Sequence, residues 1–119
     1  MTISRAMFVT SRVSSNEDES AAGETLPTEF ALFQNYPNPF NAGTEIKFNL
    51  PQRTRVALKI FNIKSELVRT LIDEDRAPGQ YRIHWDGAND HGLPVASGIY
   101  MCRIQTPDWQ ASSKLTLMK

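Results

Sequence analysis

The chain has 119 residues, enough for one domain with a packed core, and 40% of them are apolar. Thirteen Lys and Arg balance thirteen Asp and Glu, so the whole-chain charge gives no footprint for nucleic acid or for an anionic membrane. No apolar run nears the roughly 18 residues of a membrane span, and the single cysteine, Cys102, excludes an internal disulfide.

The first ten residues lack the continuous apolar centre of a secretory signal peptide. Ser11 to Glu24 is polar and acidic, with Glu17, Asp18 and Glu19 in a row, and is nearly free of large apolar side chains. Such a composition cannot offset the cost of chain ordering. Residues 1–25 are therefore expected to be a disordered linker or the tail of an upstream region, and 26–119 a folded domain.

Tyr36-Pro37-Asn38-Pro39-Phe40-Asn41 opens that domain. Each proline fixes its own φ and pushes the residue before it toward an extended conformation. A stiff, non-helical lead-in follows, with Tyr36 and Phe40 free to pack. Period-two alternation then marks the strands. Ile46, Phe48 and Leu50 carry the run Thr44–Leu50, and Val56, Leu58 and Ile60 the next. A weaker strand is predicted near Leu67 to Leu71, with Asp73-Glu74-Asp75 as a solvated acidic loop. Tyr81, Ile83 and Trp85 form another inward row, followed by Tyr100, Cys102 and Ile104. Leu115 and Leu117 mark a last strand over Gln110 to Lys119.

Turn residues separate these runs, and no stretch holds an apolar period near 3.6. The pattern predicts an all-β, immunoglobulin-like antiparallel β-sandwich of about seven strands, with a small barrel as the alternative.

No catalytic constellation is expected. His84 falls on the outward phase of its strand, and His91 sits beside Gly92 in a loop. Cys102 shares its phase with Tyr100 and Ile104, as a small buried hydrophobe does. Asp86-Gly87-Ala88-Asn89-Asp90-His91-Gly92 carries three oxygen-bearing side chains, but calcium takes six to eight oxygens. Asp, Asn and Gly equally stabilise turns, so a structural turn is expected, with neither metal nor cofactor. Trp85 reads as a core aromatic, and Gly98 after Ser97 as a strand entry, where glycine permits a positive φ or a close backbone approach.

The ordered set Gln34–Asn41, Thr44–Pro51, Val56–Asn62, Trp85-Asp86-Gly87, Gly92–Tyr100 and Lys114-Leu115-Thr116-Leu117-Met118-Lys119 resembles the type A C-terminal sorting domain of proteins exported by the type IX secretion system. That domain is itself similar to the immunoglobulin-like domain of flagellar hook-capping proteins. The resemblance covers about Phe30 to Lys119. It implies a non-catalytic sorting module of a longer precursor, in the periplasm in transit and then at the cell surface or outside the cell. The implied partners are the outer-membrane type IX machinery and a sortase-like peptidase cutting before about Leu26, with no nucleic acid, no membrane span and a monomeric state.

The residues that carry the implied sorting motif are Tyr36, Pro37, Asn38, Pro39, Phe40 and Asn41, then Trp85, Asp86 and Gly87, Ser97, Gly98 and Tyr100, and finally Lys114, Leu115, Leu117 and Lys119. The terminal strand is the expected recognition element, offering backbone edges to a partner. The chain departs from the family pattern in three places: Ala42-Gly43 replaces Pro-Ser, Ser65 stands at a turn glycine, and Cys102 occupies a position that is often aromatic. The competing expectations are a hook-capping-type structural domain and an adhesion or carbohydrate-binding module, the latter calling for exposed aromatics on one sheet face.

Overall fold

Seven strands carry the chain in the computed structural model, which describes residues 26–119. They are β1 (Ala31–Leu32), β2 (Thr44–Leu50), β3 (Thr54–Phe61), β4 (Leu67–Arg76), β5 (Gly79–Trp85), β6 (Gly98–Gln105) and β7 (Gln110–Leu117). No helix occurs among the described residues. The linker expected over residues 1–25 lies outside them.

The strands form two antiparallel sheets, ordered β1-β2-β5 and β4-β3-β6-β7. Their inner faces make an immunoglobulin-like sandwich. Alternation explains the burial: Ile46, Phe48 and Leu50 of β2 are buried, as are Val56, Leu58 and Ile60 of β3, while Glu45, Lys47 and Arg55 face water. Cys102 and Ile104 of β6 join Leu115 and Leu117 of β7 in the same core. Each large aliphatic side chain buried there contributes about 1.5–3 kcal/mol relative to exposure. At the end of the sandwich where β1 begins, Phe30 stacks on Trp109 with ring centroids 5.1 Å apart.

Two departures from the expected layout concern the edges. β4 does not stop near Leu71 but runs on to Arg76, so Asp73, Glu74 and Asp75 are strand residues and not a loop. They pair with Ala57, Val56 and Arg55. An edge strand needs a partner on one side only, and exposed charges along it discourage pairing with another chain. A bulge also interrupts β4: Leu58 pairs with Ile72 and Lys59 with Thr70, leaving Leu71 as the extra residue. The second departure is β1, whose two residues are too few to show a period.

The β3–β4 turn explains one departure from the family pattern. Asn62 Oδ1 accepts the Lys64 and Glu66 N–H groups at 2.9 and 3.0 Å, and the Asn62 carbonyl accepts from Ser65 N at 3.0 Å. This wrapping holds Ser65 at φ 66°, the left-handed region in which glycine is at ease. Ser65 adopts the backbone of the residue it replaces.

Candidate functional site

The terminal strand β7 is held from both sides. On one side it pairs with β6, with Leu115 opposite Tyr100 and Leu117 opposite Gly98. On the other it meets the proline-bracketed segment. Phe40 N donates to the Thr116 carbonyl at 2.9 Å, and the Phe40 carbonyl accepts from Met118 N at 2.8 Å, a parallel bridge opposite Leu117. Asn38 Oδ1 accepts from Thr116 N at 3.0 Å, and Gln34 Nε2 donates to the Lys114 carbonyl at 3.0 Å.

The side chains close the same end of the core. Phe40 is 3% exposed and lies tilted on Trp85, centroids 5.6 Å apart. Trp85 meets Tyr100 edge-on at 5.6 Å and donates its indole N–H to the Ala88 carbonyl at 2.9 Å. The Tyr100 hydroxyl donates to the Ala96 carbonyl, four residues upstream. Gly87 sits against Leu117 at φ 77°, a conformation that a side chain would strain. Asp86 Oδ1 caps the turn by accepting from Ala88 N at 3.0 Å. Ser97 Oγ accepts from Lys119 N at 3.0 Å.

Phe40, Trp85, Gly87, Tyr100, Leu115 and Leu117 thus meet in one cluster, with Asn38, Asp86, Ser97, Gly98 and Lys119 tied to its margin. The remaining residues of the motif do not join it. Tyr36, expected to be free to pack, is 81% exposed, while Pro37, Pro39 and Asn41 are surface residues. Lys114 is exposed opposite Met101. The Tyr36–Pro37 and Asn38–Pro39 peptide bonds are both cis.

The backbone edge expected to serve a partner is already filled within the chain at Lys114, Thr116 and Met118. By the same alternation Ser112 turns its backbone away from β6, and the bonds made by Gln34, Asn38 and Phe40 go to other residues.

Sequence reasoning gave no role to Asn35 and Thr44, which are buried beneath the proline segment. Asn35 Nδ2 donates to Thr44 Oγ1 at 3.0 Å and to the Pro37 carbonyl at 3.2 Å, which also accepts from Thr44 Oγ1 at 2.8 Å. This small network holds the segment onto β2. An asparagine two residues before Pro37 was its only trace in the sequence.

The oxygen-bearing side chains of the 86–92 loop are engaged by the chain itself. Asn89 Oδ1 accepts from His91 N and Leu93 N, and Asp90 Oδ1 accepts from Thr70 N. The Arg69 guanidinium lies 3.4 Å from Asp86 and 4.0 Å from Asp90. Among the described residues no three His, Cys, Asp or Glu gather as a metal-binding group. His84 is exposed, its ring lying over Gly43. Cys102 is fully buried, and burial pushes its thiol pKa up to about 12. No helix of the described residues is long and apolar enough to cross a membrane.

No curated protein sequence matches the chain. Among solved structures it is similar to dimeric latent PorU from Porphyromonas gingivalis, with a TM-score of 0.57 and 18% identity, covering 82% of this chain and 10% of that one. It is also similar to PorZ of the same organism, an essential bacterial surface component of the type-IX secretion system, with a TM-score of 0.50 and 18% identity over 76% of this chain and 11% of that one. The chain spans about a tenth of the length of each, and at this identity the likeness is one of fold. The FlgD Ig-like domain matches residues 35–108, from the buried Asn35 through β6 and stopping short of β7. The chain belongs to the FlgD Ig-like domain family.

Proposed function

We propose that the chain is a non-catalytic sorting module that directs a periplasmic precursor to type IX export across the outer membrane, and onward to the cell surface or medium. One observation carries this reading. Motif residues spread from Asn38 to Lys119 converge on the terminal strand, either in its core contacts or on its bonded edge. The occurrence of this fold within PorZ, a type-IX surface component, supports it as well. The partners on this reading are the outer-membrane machinery and a sortase-like peptidase cutting before Leu26.

Recognition falls to what β7 leaves outward: the Ser112 edge and the side chains of Lys114, Thr116 and Met118. Leu115 and Leu117 serve the core instead. Deleting Lys114 to Lys119 is therefore a poor test. It removes two buried leucines, at about 2–5 kcal/mol each, and would fail through unfolding. The better variant is Thr116→Ala with Met118→Ala, because Asn38 and Phe40 bond only the backbone there.

With residues 26–119 fused behind a Sec-exported reporter in a host with a type IX system, the intact module should deliver the reporter to the surface or medium. The double variant should stay folded by circular dichroism and leave most of it in the periplasm. Periplasmic retention with the intact module in several compatible hosts would refute the reading. A structural role of the hook-capping type would then take its place, in keeping with the match to the FlgD Ig-like domain. The adhesion alternative rests on Phe33 and Tyr36, both exposed beside Lys47 and Glu45 on the outer face of the three-stranded sheet.

A further inference from the structure

The two central strands of the four-stranded sheet, β3 and β6, place Lys59 and Arg103 directly opposite each other on the outer face. Like charges in facing positions destabilise a strand pair. Neither residue makes an ion pair among the described residues, and nor do Lys64 and Lys114. By contrast, Arg55 pairs with Asp73, Arg69 with Asp86 and Arg82 with Glu45. Whole-chain neutrality therefore conceals an uncompensated cationic row.

An apolar row lies next to it. Phe61 pairs with Leu67 on one side and Met101 on the other, and the Arg103 guanidinium lies 4.6 Å from the Phe61 ring centroid. At the same end of the sandwich Ile63, Leu67, Leu93, Ile99 and Met118 are all exposed, Ile63 by 76%. Topology gathers them: Ile63 is in the β3–β4 turn, Leu67 and Ile99 lie at the starts of β4 and β6, Met118 follows β7, and Leu93 is in the β5–β6 loop. The one acid in the β3–β4 turn, Glu66, is held by Asn62 Nδ2 at 2.8 Å.

We infer that this end of the domain docks on an anionic lipid bilayer. The aliphatic tips enter the headgroup boundary, and Lys59, Lys64, Arg103 and Lys114 meet lipid phosphates. Protein interfaces concentrate aromatic residues and arginine and are depleted in lysine. This patch is dominated by exposed aliphatic tips set beside lysines, the composition of lipid-interface surfaces. The inference does not depend on the sorting role.

The test is co-sedimentation of the full chain with vesicles of phosphatidylcholine alone or with added phosphatidylglycerol. Binding should require phosphatidylglycerol and weaken with salt. Lys59→Glu with Arg103→Glu should lower the partition by at least about tenfold, and Ile63→Ser with Leu67→Ser should lower it too. Both pairs lie on the outer face or its turn, and circular dichroism checks their folding. Lys59→Gln with Arg103→Gln serves if the reversal unfolds the sheet. Lys47→Glu, on the opposite sheet, should bind as the parent does. Equal binding to both lipids, or undiminished binding by the charge variants, would overturn the inference. So would the absence of binding to either vesicle, which would assign the patch to a protein partner.

Discussion

Replacing Trp85 by alanine removes the residue on which the motif cluster closes. The indole is fully buried, contacts the rings of Phe40 and Tyr100, and donates to the Ala88 carbonyl. Truncating a buried aromatic costs about 3–5 kcal/mol. Two favourable ring geometries and a hydrogen bond put this site toward the top of that range, about 4–5 kcal/mol. The Ala88 carbonyl is not orphaned, because Arg69 Nη1 remains 3.3 Å away. A domain of this size is stable by about 5–15 kcal/mol, so Trp85→Ala should sit near the edge of folding. Its melting temperature should fall by roughly 20 °C or more.

Urea titration followed by far-UV circular dichroism reads the loss without relying on the deleted fluorophore. Trp85→Phe keeps a ring against Phe40 and Tyr100 but loses the indole bond, and should cost about 1–2 kcal/mol. His84→Ala, one position away and exposed, should cost under about 0.5 kcal/mol. A Trp85→Ala loss below about 2 kcal/mol, or an equal loss at His84, would refute the assignment of Trp85 as the keystone of this end.

Ser65→Gly should raise stability by about 0.5–1 kcal/mol: a non-glycine residue in the left-handed region costs about 1–2 kcal/mol, and the added freedom of unfolded glycine returns part of that. A urea midpoint at or below that of the parent would contradict the strain argument. Cys102 should resist a thiol-reactive disulfide reagent in the folded chain and react fully once the chain is unfolded. Its folded pKa of about 12 exceeds the reference value of 9.0, so the folded state holds the proton more tightly. That contribution to stability is complete below pH 9 and is lost as pH rises from 9 toward 12. Rapid labelling of the native protein at neutral pH would show the thiol to be accessible.

What alternation could reveal, it revealed: β2 runs over Thr44–Leu50 as the Ile46, Phe48, Leu50 row requires, and Trp85 and His84 fall on opposite faces. Alternation reports which face is buried, and β2, β3 and β6 each bury a full inward row. The failures lie where that signal is silent. The acidic half of β4 pairs through its backbone while both neighbours of Glu74 face water, so its side chains look like those of a loop. The clasp on β7 joins the Asn38 side chain to the backbone of a residue 78 positions away, and no local pattern encodes such a bond. Tyr36 and Phe40 look equivalent in the sequence, yet only Phe40 turns inward, because the bridge to Leu117 sets its direction.

The clasp also bears on when the domain can fold. A chain that is synthesised, or threaded through a pore, from its N-terminus exposes Asn38 and Phe40 long before Thr116 and Met118 emerge. Until then the Leu115 and Leu117 positions in the core are empty and the Phe40 backbone lacks both partners. Contacts so distant along the chain form last and slowly. The sandwich is thus completed only once β7 has joined residues made about 75 positions earlier.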